Sequence, residues 1–422
     1  MNYSKKINAY VLPLIATNII QIIIGQLSLH FAVSGSSTAL SGITIIQNLL
    51  FAFGGILGAF SLSFNIKGSR AHNMEDRDRF YDLLKSSLII DLIIGFIFIV
   101  FSIFFGSIFL EKFYSFDGVL LEESKNYLLI MSPYILLTLL SFLFTNLLKV
   151  EQKTKPIFWI GFVSSIIDVL LNYLLVPRLG IKGAALSAII SLLLIIISYF
   201  SLIYPLVFMS IKIKSTCKRE LIKFGIPLTI QEVLESVLFI MIFDALMGRQ
   251  GLVALSSYAV ISQLFGMAKI PAFTYAGAVS IFLPEAEKGN NTSEFMRTIY
   301  RNSLLVSSLF SVLAILSANK FSQFLAQDIK QNLIPVAIYT FIIMGATPLY
   351  ETSKMYLQCD GHENLVVKYT SIVNILGIII LLLIQLLGFQ SYYSLYAIFG
   401  LTLFILTCIF MRKINLNTIK LN

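Results

Sequence analysis

Residues 226–248 read IPLTIQEVLESVLFIMIFDALMG. A helix of about 20 mostly apolar residues crosses the hydrocarbon of a bilayer, and this stretch is long and greasy enough to do so. Yet it carries Glu232, Glu235 and Asp244. A charge near the bilayer centre costs at least ~2.5–3.5 kcal/mol on insertion scales. Such residues face a cavity, a partner or an ion path, so the stretch reads as a membrane span that has acquired a task.

The rest of the chain agrees with the membrane reading. Of 422 residues, 57% are hydrophobic and only 13% charged, with a mean hydropathy of +0.86. Soluble domains carry about 25% charged residues, and one core could not hide this much apolar surface. Twelve spans are expected, near 8–31, 38–65, 86–110, 124–148, 156–177, 181–209, 221–247, 252–283, 297–319, 333–357, 365–388 and 392–411. The connections are short and leave no room for a soluble domain. The first apolar segment follows Lys5 and Lys6 and lacks an A-x-A cleavage pattern, so it is expected to persist as span 1. Lys and Arg are concentrated on one face: 23 lie on the side of the termini and 7 on the other. By the positive-inside rule both termini are expected in the cytoplasm, with the chain in the inner (plasma) membrane. This bias accounts for the net charge of +9 without a nucleic-acid partner. Cys217, Cys359 and Cys408 fit no disulfide or C-x-x-C pattern, His30, His72 and His362 form no local metal motif, and no phosphate-binding P-loop is present. No cofactor is expected.

Residues 226–248 also have a counterpart. Residues 12–31 read LPLIATNIIQIIIGQLSLHF, which sets Pro13 against Pro227. The following segments, STALSGITIIQNLLF (37–51) and GLVALSSYAVISQLF (251–265), align Ala39-Leu40-Ser41 with Ala254-Leu255-Ser256. The ends of spans 4 and 10 rhyme as well, LLKVEQKTK (147–155) against YLQCDGHEN (356–364). The expected fold is an all-α integral membrane protein of twelve transmembrane helices. They form two six-helix bundles related by a pseudo-two-fold axis along the membrane normal. The expected division is an N-terminal lobe 1–210, a basic cytoplasmic linker 211–223 and a C-terminal lobe 224–422. Each half has an even number of spans, so both enter from the same side, as parallel repeats of transporters do.

One motif is more specific. NYLLVPRLGIKGAALSAIIS (172–191) resembles the connection between helices 5 and 6 of the multidrug and toxic compound extrusion (MATE) transporters. Asn172, Gly180, Gly183, Ala184, Ala185 and Leu186 fill that pattern. LPLIATNIIQ resembles the family's first helix, and IPAFTYAGAVSIFLPEAEKGN (270–290) the end of its eighth. The similarity spans nearly the whole chain. It implies export of organic, often cationic, compounds against inward H⁺ or Na⁺, with alternating access. A sister group of the same superfamily flips lipid-linked sugars.

The acids are the candidate coupling groups. A carboxylate taken out of water gains affinity for a proton, and two of them with hydroxyls can hold Na⁺. In span 7, Gln231, Glu232 and Glu235 share a face by i, i+3 and i, i+4 spacing. The resemblance places a coupling glutamate at Glu235. Lys269, in span 8 ahead of Pro271, is a possible ion-pair partner for Glu235 or Glu232. In span 10 the resemblance implies an acid about three turns before Gly361, near Leu349, which makes Tyr350 and Glu351 the neighbouring candidates; Glu351 and Lys354 are also spaced for a salt bridge. Na⁺ at Glu235 and Glu351 is the one metal ion considered. In span 5, Asp168 and Asn172 stand at i, i+4, with the Asn–Asp order of the family reversed. Where many members carry a span 1 aspartate, this chain has Ser28, near Gln21, Gln26 and His30. Asp244 reads as interfacial.

Three functions compete. A cation-coupled exporter of small amphiphilic compounds needs an acid-lined apolar cavity. A flippase for a pyrophosphate-linked saccharide needs several Arg or Lys in its cavity, and only Lys269 and Lys354 qualify. An intramembrane enzyme would need a catalytic motif such as H-E-x-x-H or G-x-S-x-G, and none is present. The expected partners are a small-molecule substrate and the lipid bilayer, and the chain is expected to act as a monomer.

Overall fold

Helices account for nearly all of the chain in the computed structural model, which describes residues 3–33, 37–114, 118–235, 242–243, 246–247, 252–289, 291–325, 332–389 and 391–420. No strand occurs among them. In order the helices are α1 (Tyr3–Val33), α2 (Ser37–Asn73), α3 (Arg77–Phe104), α4 (Gly106–Tyr114), α5 (Gly118–Ile130), α6 (Tyr134–Val150), α7 (Thr154–Leu179) and α8 (Ile181–Lys212). They continue with α9 (Lys218–Glu232), α10 (Leu252–Ala268), α11 (Ile270–Lys288), α12 (Thr292–Leu325), α13 (Ile334–Ile343), α14 (Thr347–Cys359), α15 (Glu363–Leu386) and α16 (Tyr392–Lys420). Ten segments among the described residues are long and apolar enough to cross a membrane. The expected spans near 38–65 and 221–247 are not among these ten, and both include residues or side chains outside the description; α2 is nonetheless one continuous helix.

Several expected spans are broken rather than continuous. Span 4 divides into α5 and α6 around Pro133, span 8 into α10 and α11 at Lys269, and span 10 into α13 and α14 at 344–346. Pro271 and Pro348 stand in the first turns of α11 and α14. A proline has no N–H to give to the preceding turn, so the old helix ends and a new one starts. Lipid-exposed backbone cannot tolerate such gaps, but protein-lined cavities can. The outer faces carry the opposite signature. On α12, Leu305, Leu309, Val312, Leu313 and Leu316 are 52–68% exposed, a helical stripe with no buried partner and hydrocarbon as its natural solvent.

The chain forms two compact units, residues 12–229 and residues 1–11 with 230–422. The boundaries fall inside α1 and inside α9. The first eleven residues group with the second unit, away from the rest of the expected N-terminal lobe, and specific bonds explain why. Lys6 Nζ reaches Glu285 at 2.6 Å, and Tyr275 Oη donates to Asn8 Oδ1 at 2.7 Å. Residues 211–223, expected as a linker, lie within the first unit. The N–H groups of Thr216 and Cys217 donate to Asp82 Oδ1 at 2.8 and 3.1 Å, and the Thr216 hydroxyl donates to Asp82 Oδ2. Lys85 Nζ donates to the carbonyls of Ile211 and Ile213. The segment is a strap pinned to the start of α3.

The duplication read from the sequence recurs as geometry. After α6 the chain turns through Gln152 at φ +57°, and after α14 through Gly361 at φ +82°. The closing bonds match residue for residue: Lys153 N donates to Leu148 O and His362 N to Leu357 O, both at 2.8 Å. Such a left-handed residue with its returning bonds is the standard helix stop. The rhyme between 147–155 and 356–364 is therefore one turn used twice.

The glycines of the 172–191 motif are explained by packing. Gly180 joins α7 to α8 at φ +57°, ψ −137°, a region essentially reserved for glycine. At Gly183 a Cβ would lie 2.6 Å from both C and O of Leu175. Gly183→Val should therefore lower the stability of the detergent-solubilised protein by roughly 1–3 kcal/mol, the range for overpacking. A shift in thermal unfolding checks this, and Ala188→Val on the same helix should shift it less.

Candidate functional site

The second unit holds a polar cavity of about 160 Å³. Its charged lining is Glu232, Glu235, Glu351, Lys269 and Lys354, and Tyr350 joins them. Phe265, Phe273, Met344 and Phe399 supply apolar wall. The backbone breaks lie here: Lys269 is the residue between α10 and α11, and Met344 and Thr347 flank the gap between α13 and α14. At 233–235 the turn following α9 widens to a π-type turn, a local unwinding often found at functional sites. It ends on Glu235.

Glu235 is the hub. Its Oε1 accepts from Tyr350 Oη at 2.5 Å and from Gln231 Nε2 at 2.8 Å. Its Oε2 accepts from Lys354 Nζ at 3.1 Å. The same ammonium stands 2.8 Å from Glu351 Oε2. Behind this, Gln358 Nε2 donates to Gln231 Oε1 at 2.8 Å and fixes the amide that orients Glu235. The three charged side chains are 9–18% exposed. At that burial an ion pair is far less screened than on a surface. The Tyr350 ring stacks on Phe410 at 5.9 Å, which holds its hydroxyl in place.

The cavity thus gathers Glu235, Glu351, Glu232, Lys269 and Tyr350, with Gln231 directly behind Glu235. The pairing differs from expectation. Glu235 pairs with Lys354, and Lys269 lies within electrostatic reach of Glu351 and Glu232. The break at Lys269 sets its ammonium beside the rings of Phe265 and Phe273, at 5.8 and 5.4 Å, a favourable place for a cation. The i, i+3 spacing of Glu351 and Lys354 signals the salt bridge between them, but nothing in the sequence signals that Lys354 also reaches Glu235.

Asp168 and Asn172 lie in the other unit. Asp168 Oδ1 accepts from the hydroxyls of Ser187 and Ser191 at 2.9 and 3.2 Å. Asn172 Nδ2 donates to Asp168 O and to Ser187 Oγ. This network ties α7 to α8. The serines come from SAIIS (187–191), whose i, i+4 spacing could have marked them as one face toward span 5. Asp244 and the side chains of Gln26, Ser28 and His30 lie outside the described residues.

A carboxylate is missed altogether by the sequence reading. Asp91 is fully buried near the middle of α3, within IIDLIIG. A single acid inside an otherwise apolar run was the available signal.

Comparisons with known proteins follow this geometry. The MatE family model matches residues 13–174. The chain is 23% identical over 372 residues to the probable multidrug resistance protein YoeA of Bacillus subtilis (strain 168), covering 81% of this chain and 78% of that protein. Among solved structures, it is similar to a MATE transporter in complex with MaL6, with a TM-score of 0.85 at 12% identity, over 100% of this chain and 97% of that one. A MOP superfamily transporter from Pyrococcus furiosus, described as having a binding pocket of reverse polarity, gives a TM-score of 0.79 at 14% identity, over 99% and 96%. These likenesses place the chain in the twelve-helix fold of those transporters.

Proposed function

We propose that the chain is a membrane transporter of the multidrug and toxic compound extrusion family and that it exports small amphiphilic or cationic organic compounds in exchange for protons, a reading supported by the MatE match over residues 13–174 and by the transporters it is similar to. It is a multi-pass membrane transporter rather than an enzyme. The proposed setting is the plasma membrane, with both termini in the cytoplasm and alternating access as the cycle.

The observation that carries this reading is the hub at Glu235. Three carboxylates face two ammoniums in one cavity, which leaves one surplus negative formal charge. That single surplus charge is what a proton and an organic cation would balance in turn. Protonation of Glu235 would remove its attraction for Lys354 and free that ammonium toward Glu351 alone. Na⁺ is the weaker candidate for this site, because Lys354 already stands between Glu235 and Glu351, where the ion would have to sit. Asp168 is the proposed acid of the first unit. The surplus of acid over base also argues against a pyrophosphate-linked cargo.

Dye efflux from everted vesicles tests the reading. With an imposed ΔpH the wild type should accumulate a cationic dye, and with ΔNa⁺ alone it should not. Asp168→Asn should slow the ΔpH-driven rate several-fold, since it removes an ionisable oxygen but keeps an acceptor for Ser187. Transport driven equally well by Na⁺, or by neither gradient, would refute the proton reading.

A further inference from the structure

In the first unit, Asp91 is a buried acid that the proposed cycle does not use. Asp91 is 0% exposed. Neither of its carboxyl oxygens has a hydrogen-bond partner. It belongs to the buried stripe of α3, which includes Leu83, Ser87 and Gly95. One turn further on, Gly95 meets α6 so closely that a Cβ would lie 2.7 Å from Leu136 Cα. The carboxyl is therefore inside the helix packing and not at a lipid or water face.

Among the described residues no charge is at hand to pair with it. On its own helix, Asp82 and Lys85 are committed to the 211–217 strap. On α2, Lys67 turns to Glu220, Arg70 lies at the far end of the helix, and His72 is near Glu151. On α8, Tyr199 is buried, Tyr204 is exposed, and Lys182 and Lys212 lie at the two ends of the helix. On α6, Tyr134 stands in the first turn and Lys149 in the last. On α4 and α5, Glu111, Lys112, Glu122 and Lys125 are exposed, and Tyr127 is buried. An unpaired buried carboxylate neutralises by taking a proton. The resulting O–H can turn to the i−4 carbonyl of its own helix, as Thr17 does at Pro13 and Thr229 at Gly225.

We propose that Asp91 is a proton-binding site of the first unit, occupied at neutral pH in the conformation described and emptied and refilled during turnover. The turnover half of the proposal rests on the proton-exchange reading above; the occupancy half does not.

Infrared spectroscopy of the full-length protein in lipid separates the two. At pH 7 the wild type should show the carbonyl stretch of a protonated carboxyl, lost in Asp91→Asn and retained in Asp244→Asn. If Asp91→Asn fails to elute as a single species, ¹³C-labelled aspartate in the wild type replaces it, and the band should move on labelling. A wild type without such a band overturns the proposal. In proteoliposomes, Asp91→Asn should cut ΔpH-driven efflux at least fivefold. A band with unchanged efflux makes the proton a fixed structural one and overturns the turnover half. A wild type with the band but no ΔpH-driven efflux would instead refute the proton-exchange reading.

Discussion

Lys354→Met should destabilise the protein by about 3–5 kcal/mol, the range for breaking a buried ion pair by deleting one partner. The reason lies in the geometry around the ammonium. It stands 3.1 Å from Glu235 and 2.8 Å from Glu351 at 12% exposure. Methionine fills a similar volume but leaves the two carboxylates sharing one cavity without their common counter-ion. The fall should appear as a lower unfolding temperature and a lower yield of monodisperse protein. Adding Glu351→Gln should restore most of the loss, because one of the two stranded charges goes. If Lys354→Met unfolds at the wild-type temperature, the ammonium is not the clamp described.

Glu235→Gln should leave the fold nearly intact and disable coupling. The amide keeps an oxygen for Tyr350 and Gln231 and has almost the same shape. It can no longer take up a proton, and it no longer holds Lys354 by charge. Coupling free energies between linked ligands run to about 1–3 kcal/mol, or 5- to 150-fold. ΔpH-driven efflux should fall by roughly that factor, whereas downhill dye exchange without a gradient should persist. Glu235→Asp would shorten the reach to Tyr350 yet keep the titration, so partial coupling should return. Full coupling in Glu235→Gln would remove Glu235 from the mechanism.

The membrane architecture was legible because its signals are local. A run of apolar residues of the right length is a span wherever it lies, and the turn at 147–155 announced its copy at 356–364 through residue spacing alone. Glu235, Glu351, Tyr350 and Lys269 were legible as candidates because polar groups are rare inside such runs. Their mutual arrangement was not. Spacing along one helix shows that Glu351 and Lys354 can touch, but the bond from Lys354 to Glu235 depends on how the segments carrying them pack and on where the helices break. Helix patterning likewise says nothing of whether a lone acid is solvated. Asp91 and Asp168 look alike in sequence, one acid in an apolar run each, yet Asp168 meets two serine hydroxyls and Asp91 meets none. The pinning of 211–217 was hidden for the same reason, since Asp82 sits more than a hundred residues before the amides it holds.

The surplus charge of the cavity has an electrical consequence. Glu232, Glu235 and Glu351 against Lys269 and Lys354 leave a single negative charge to be balanced. One proton balances it, and so does one monovalent organic cation. At this cavity both loaded forms are neutral, and the swap there is one for one; a proton carried by Asp91 adds to it. A charge moved through the full membrane potential exchanges about 2.3 kcal/mol per 100 mV, so the exchange at this cavity would ignore that voltage, whereas a further proton at Asp91 would feel it: the size of the transport current would count the protons carried per cycle.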